Sequence, residues 1–171
     1  SNCEAAKVDP FLGPVVSVRR GYSTNKSIRY RGASGGVITG LANYLLEKKK
    51  IDYVIHTGKS ASNPVVNECK ISSSTTDLLA SAGSRYGPSA PLERIEELIS
   101  ENYKYLFIGK PCDVLALRNY SKYNRRVAEN IRYMFAFFCA GVPSVLATKQ
   151  LIAIWVCKKM TLLICATAVV V

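Results

Sequence analysis

Apolar and polar residues alternate through PVVSVRRGYS (Pro14–Ser23), the period of a half-buried strand. NKSIRYRGASGG then reads as a loop ending in glycines. From Val37 to Lys50 the period lengthens, placing Val37, Leu41, Tyr44 and Leu45 on one helical face; closing lysines suit a helix C-terminus. DYVIHTG (Asp52–Gly58) reads as a buried strand and VNECKIS (Val66–Ser72) as an alternating one. STTDLLAS opens a short helix at a Ser/Thr cap. Ala82–Pro91 (AGSRYGPSAP) is loop by composition. Pro91–Glu101 predicts an amphipathic helix, with Pro at its start and Leu92, Ile95, Leu98 and Ile99 on one side. KYLFIG predicts a strand, CDVLALRNYS a helix, YMFAFFCAG (Tyr133–Gly141) an apolar strand, and PSVLATKQLIAI a helix. Strand–loop–helix repeats of this kind predict an α/β fold, a largely parallel sheet with flanking helices. Ligands of such sheets gather at the carboxyl ends of strands. Three loops are expected there: the one carrying Cys112, the one carrying Cys139, and Ala82–Pro91.

The chain has 171 residues, about half of them hydrophobic, enough for one domain with its own core. Its formal charge of +11 is high. Surface solvation accounts for such a charge, and so does an anionic partner: cofactor phosphates, an acidic electron-transfer protein or nucleic acid. Nucleic acid is the weakest of these, because the basic residues look scattered and no nucleic-acid motif appears. The six cysteines, Cys3, Cys69, Cys112, Cys139, Cys157 and Cys165, form no CxxC pair, so zinc-knuckle and thioredoxin signatures are missing. Free thiols in a reducing cytoplasm are the expectation.

Cys112 and Arg118 have the C-x5-R spacing of a phosphatase, but Val114–Leu117 reads as a packed helix face rather than a phosphate cradle. Cys112 follows a strand and opens a helix, where the dipole favours a thiolate; Cys139 follows another strand. Spacing alone fits two readings, core cysteines or two ligands of an iron–sulfur cluster, which usually needs four. RGASGGVIT (Arg31–Thr39) leads glycines into a helix N-terminus. Such a turn suits a phosphate or a flavin edge, and equally a purely structural tight turn. His56, the single histidine, lies in an apolar strand and reads as structural.

Five segments in register, FLGPVVSVRRGYS, RYRGASGGVIT, AGSRYGPS, FIGKPCDVLALR and FFCAGVPS, resemble the coenzyme F420 hydrogenase/dehydrogenase beta-subunit family from about Asp9 to Leu151. The resemblance implies flavin-dependent redox chemistry with FAD and a 4Fe–4S cluster. Its expected partners are a ferredoxin or another electron-transfer subunit and a small-molecule substrate. It implies that Ser34, Gly35, Gly36 and Thr39, with Gly83, Ser84, Tyr86, Gly87 and Ser89, surround the flavin. Lys110 would steady a negative charge, and Cys112 and Cys139 would ligate the cluster. The motifs KPCD and GASGGVITGL look closer to relatives that accompany surface-polysaccharide biosynthesis, which leaves the use of coenzyme F420 open.

Two departures bear on domain organisation. Family members often carry a CxxC-rich segment ahead of this region, where this chain has Cys3. The segment that follows GVPS in the family is also missing, and residues 151–171 are an apolar tail too short and too interrupted by Lys158 and Lys159 to span a membrane. Read from the last base of the Met160 codon, suitable codons give Asp-Ile-Ala-Asp-Leu-Arg-Tyr-Arg-Gly, which resembles the family's segment after GVPS. Residues 1–150 are therefore expected to form a partial family domain, and 151–171 a frameshift product with its break near Ile154–Trp155. Two function classes follow: an oxidoreductase subunit, and a remnant or partner-binding module that keeps the fold without its cofactors.

Overall fold

The computed structural model of the chain describes residues 7–11 and 13–154. Cys3, Cys157, Cys165 and the tail from Trp155 onward, including Met160, lie outside the described residues.

A small antiparallel hairpin, β1 (Lys7–Asp9) with β2 (Gly13–Val15), precedes the main body. After it come α1 (Lys26–Arg31), α2 (Val37–Glu47), β3 (Tyr53–Lys59), β4 (Asn67–Ser72), α3 (Thr75–Ala80) and α4 (Ile95–Leu98). Then follow β5 (Tyr105–Gly109), α5 (Pro111–Tyr120), α6 (Arg125–Asn130), β6 (Ile131–Ala136) and α7 (Val145–Ile154). The central sheet has the order β4-β3-β5-β6; β3, β5 and β6 are parallel and β4 runs antiparallel at one edge.

Alternation along β5 divides the core in two. Tyr105 and Phe107 point to one face, where they pack with Ile55, Ile95, Ile99, Leu117, Val127 and Ile131 beneath α4, α5 and α6. Leu106 and Ile108 point to the other, with Val54, Ile51, Ala42 and Leu78 beneath α2 and α3. All five residues of β5 are buried, as a central strand covered on both faces requires. Each large side chain removed from water there contributes roughly 1.5–3 kcal/mol. The fold is the α/β arrangement that the pattern predicted: a mostly parallel sheet between helices.

Several elements differ from the sequence expectation. The alternation over Pro14–Ser23 gives a strand for its first two residues, and residues 16–24 run without regular structure and largely exposed. α1 arises inside the expected loop. Asn25 caps it by accepting from the amides of Ser27 and Ile28, and Ile28 is its one buried side chain. On α2 the buried face is Ile38, Ala42, Leu45 and Leu46, while Leu41 and Tyr44 are exposed. Ala42, fully buried, lets this helix approach Val54 and Leu106. The helix expected over Pro91–Glu101 shrinks to one turn. Arg94 leaves helical geometry (φ −120°, ψ 27°), Ile99 is extended, and the Ser100 amide donates to the Tyr105 hydroxyl at 3.0 Å. β6 starts earlier than the apolar run and ends at Ala136, leaving Phe137 and Phe138 exposed. α6, capped by Asn124, has no counterpart in the expectation.

Candidate functional site

α2 leads into β3, so its N-terminus lies at the carboxyl end of the parallel strands, and the loops after β5 and β6 leave from that same end. The glycine turn Ser34–Gly36 joins α1 to α2. Ser34 (φ 49°), Gly35 (φ 70°) and Gly36 (φ 71°) are three consecutive left-handed residues, a conformation costly for any residue with a Cβ. The space a side chain would need is already filled by the chain itself. A Cβ on Gly36 would lie 2.7 Å from the Ile28 carbonyl oxygen, and one on Gly35 2.9 Å from Tyr22 Cβ. These glycines are therefore explained by the turn they make. The Ser23 amide donates to the Gly35 carbonyl at 2.8 Å, closing the turn onto the preceding stretch. No side chain caps α2, and half-buried Thr39 sits in its first turn.

The Ala82–Pro91 loop is held at three points. Gly83 (φ 106°) passes so close to the Arg31 carbonyl oxygen that a Cβ would lie 3.3 Å away, which sets this loop against the end of α1, just ahead of the glycine turn. Asn67, at the start of β4, donates through Nδ2 to the Gly87 carbonyl (3.0 Å) and through its amide to the Pro88 carbonyl (2.9 Å). Arg85 Nε donates to Asn67 Oδ1 at 2.7 Å, and its Nη2 to the Pro64 carbonyl at 3.0 Å. Gly87 is buried against the Val65 carbonyl, 2.8 Å from where a Cβ would be. Ser84 is half-buried and Tyr86 exposed.

Lys110 closes the third point. Its ammonium donates to Ser89 Oγ at 3.0 Å and pairs with Asp113 Oδ2 at 3.2 Å, with both charged side chains 15% exposed. Asp113 Oδ2 also accepts the Lys110 amide at 3.1 Å, capping α5 behind Pro111. Cys112 therefore stands in the first turn of α5. β5 and β6 end side by side, with Gly109 opposite Ala136 and the Phe137 amide donating to the Gly109 carbonyl at 3.4 Å. Cys112 and Cys139 each follow their strand end by three residues, and both thiols are exposed. Neither is a core cysteine. That part falls to Cys69, half-buried on β4, whose thiol is pushed up in pKa by burial, against a smaller opposing pull from Arg94.

The phosphatase reading of Cys112 and Arg118 fails on geometry. Both lie on α5, six residues and about 9 Å apart along its axis, so the guanidinium cannot close over the thiol. Among the described residues no group of three or more His, Cys, Asp or Glu side chains is placed to hold a metal ion. No helix among them is long and apolar enough to cross a membrane.

His56 is buried. Its Nδ1–H donates to the Thr57 carbonyl (3.1 Å), so Nε2 accepts from the Ser72 hydroxyl at 2.7 Å. This Ser–His pair ties β3 to β4 inside the core, where both partners are under one-tenth exposed. Two surface grooves of about 380 and 370 Å³ lie along α4, beside α6 and α5, and no candidate residue lines either.

Asn67, Arg85 and Asp113 were not foreseen. Asp113 carried a signal, an acid in the first turn after Lys-Pro. Asn67 and Arg85 act across about twenty residues of chain and carried none.

Comparison with known proteins gives these segments a context. Residues 18–96 match the N-terminal part of the family described as coenzyme F420 hydrogenase/dehydrogenase, beta subunit, and residues 102–161 match its C-terminal part. The chain is 26% identical to the F420-dependent formate dehydrogenase subunit beta of Methanocaldococcus jannaschii, over 78% of this chain and 35% of that protein. It is 27% identical to the coenzyme F420 hydrogenase subunit beta of Methanosarcina barkeri, over 77% of this chain and 46% of that one. The coenzyme F420-dependent sulfite reductase of M. jannaschii is 31% identical, over 63% of this chain and 19% of its own length. A chain of the xenon-derivatised F420-reducing (NiFe) hydrogenase complex of M. barkeri superposes with a TM-score of 0.71 at 25% identity, over 77% of this chain and 46% of that chain. The chain thus spans less than half the length of the curated relatives it matches. Matched on both sides of Glu101 by the two parts of one family, the chain belongs to the coenzyme F420 hydrogenase/dehydrogenase beta-subunit family.

Proposed function

We propose that this chain is part of an oxidoreductase subunit that passes electrons between a partner protein and a bound small-molecule substrate. The observation that carries the reading is the convergence at the carboxyl ends of β5 and β6. The end of α1 ahead of the glycine turn, the Ala82–Pro91 loop and Lys110 touch in sequence there, and Cys112 and Cys139 follow the two strand ends with exposed thiols. The relatives that support it are hydrogenase, dehydrogenase and sulfite reductase proteins dependent on coenzyme F420.

FAD would supply the exchange between two-electron hydride chemistry and one-electron steps. The uncapped N-terminus of α2 offers amide donors suited to a phosphate, and Lys110, already paired with Asp113 and bonded to Ser89, would have to share its charge with the ligand. Ser34 and Thr39 on one side, and Gly83, Ser84, Tyr86 and Gly87 on the other, would form the walls. Gly35 and Gly36 would act through the turn, since their own open space is taken. Cys112 and Cys139 fit two positions of a 4Fe–4S cluster in chemistry and exposure, and two further thiolates would have to join them. The partner would be a ferredoxin or another electron-transfer subunit. A substrate from surface-polysaccharide biosynthesis rests on the likeness of KPCD and GASGGVITGL.

Replacing Cys112 by Ser in the full-length protein, prepared without oxygen, tests the assignment. Iron should fall to half or less while the melting temperature moves little, because an exposed side chain contributes within about 0.5 kcal/mol. Unaltered iron would remove Cys112 from the ligand set. The second reading, a partner-binding module without cofactors, rests on the finding that among the described residues no group of three or more His, Cys, Asp or Glu side chains could hold a metal ion. A colourless full-length protein would establish it.

A further inference from the structure

Five of the 23 basic residues lie in one acid-free stretch beside the candidate site. Between Pro10 and Leu46 the chain has five cations, Arg19, Arg20, Lys26, Arg29 and Arg31, and no acidic residue. All five are exposed. Among the described residues no ion pair joins any of them to a carboxylate. The Arg29 guanidinium lies 4.0 Å over the Tyr22 ring, which folds the Arg19–Arg20 stretch against α1. The same ledge is tied to the site twice: through the Ser23 amide on the Gly35 carbonyl, and through Gly83 against the Arg31 carbonyl.

The acidic residues are distributed otherwise. Glu93, Glu96, Glu97 and Glu101 lie on and around α4, which covers the opposite face of the sheet from α2. Two of them are held locally, Glu97 by Arg94 at 2.7 Å and Glu101 by Arg126 at 3.6 Å. The stretch between Pro10 and Leu46 thus supplies five of the 23 Lys and Arg residues and none of the 12 acids, a local excess of positive charge beside the site.

We infer that the Arg19–Arg31 ledge is the docking surface for an acidic electron-carrier protein, which it steers to the carboxyl ends of β5 and β6. The inference rests on the proposed electron-transfer function and names the surface that function would use. Five cations with no carboxylate partner among the described residues repel one another at a small cost in stability. A partner carrying the opposite charge removes that cost and raises the rate of encounter. Exposed aromatic rings at Tyr22 and Tyr30, 61% and 92% exposed, give the ledge apolar contact area as well as charge.

Two charge-matched variants of the full-length protein test it. One carries Arg19→Glu, Arg20→Glu and Lys26→Glu on the ledge. The other carries Lys48→Glu, Lys49→Glu and Lys50→Glu, which change the net charge equally just past the far end of α2. The probe is a ferredoxin of net negative charge, and the readout is its association rate as a function of salt. The ledge variant should slow association by about tenfold or more at low salt and flatten the salt dependence, and the far variant should stay close to wild type. Equal loss in both variants would mean that net charge alone acts, and would overturn the ledge. A duplex oligonucleotide that binds the ledge more tightly than the ferredoxin at the same salt would also overturn it. Iron and flavin content, measured on the same samples, separates failure of the ledge from failure of the redox reading.

Discussion

At the scale of single residues, the glycine turn shows how one position can carry two requirements. Gly36 is buried, left-handed and pressed against the Ile28 carbonyl. Gly36→Ala should cost roughly 1–2 kcal/mol for the left-handed backbone alone, and more for the clash, read as a lower denaturant midpoint. Because this loss precedes any ligand, it must be measured before a change of flavin content is credited to the site. A loss below a few tenths of a kcal/mol would mean that the turn has another conformation open to it. From the sequence, the run of glycines entering a helix was legible, but its reason was not: the atoms that exclude a side chain come from Tyr22 and Ile28, in stretches read as strand and loop.

At the scale of elements, the Ala82–Pro91 loop is held by polar contacts along its length and by the buried Pro91 at its end. Asn67 is its clamp, engaging Gly87, Pro88 and Arg85 together. Asn67→Ala should release Arg85, and trypsin should then cut after Arg85 about tenfold faster or more, as expected when hydrogen bonds worth about 1.4 kcal/mol or more of local stability are lost. An unchanged cleavage rate would show that Lys110 and Ser89 suffice to hold the loop. β3 and β5 were legible because their apolar runs match their burial; α5 was legible as a helix, but of the expected packed face Val114–Leu117 only Leu117 is buried, and Leu115 and Ala116 are exposed. α1 and α6 were not legible, because each hides little more than one apolar side chain, Ile28 or Val127, and their Asn caps look like ordinary loop residues. α4 misled for the converse reason: Leu92, Ile95, Leu98 and Ile99 do pack on the core, but from a turn and a single helical turn rather than one helix.

For the whole molecule, acid should be felt first through His56. Burial holds its pKa below the usual 6.5, opposed by the Thr57 carbonyl and, more weakly, by Asp77, while Lys70 adds to the lowering. Below pH 6.5 the unfolded chain therefore binds more protons than the folded one, so stability falls as pH falls and levels off below the folded pKa. The contribution is fully present above about 6.5. Replacing His56 by Gln should flatten that part of the profile in urea titrations, and a slope that persists would place the acid sensitivity elsewhere. Asp77 and Glu68, both held low by hydrogen bonds to neighbouring side chains, lose their contribution only at lower pH. The architecture at this scale was legible, since alternation of strands and helices fixes the layering. The convergence of the site was legible in outline, because it follows from the direction of parallel strands.

β6 closes the sheet on one side, and among the described residues no strand pairs with its outer edge. Phe137 and Phe138 stand exposed just beyond it. An open backbone edge accepts any strand that arrives, whether its proper neighbour or the β6 of another copy. Its pairing is thus a second-order process, whereas the burial of β5 is first-order. Dilution should favour the single folded chain, and concentrated refolding should divert material into edge-to-edge aggregates.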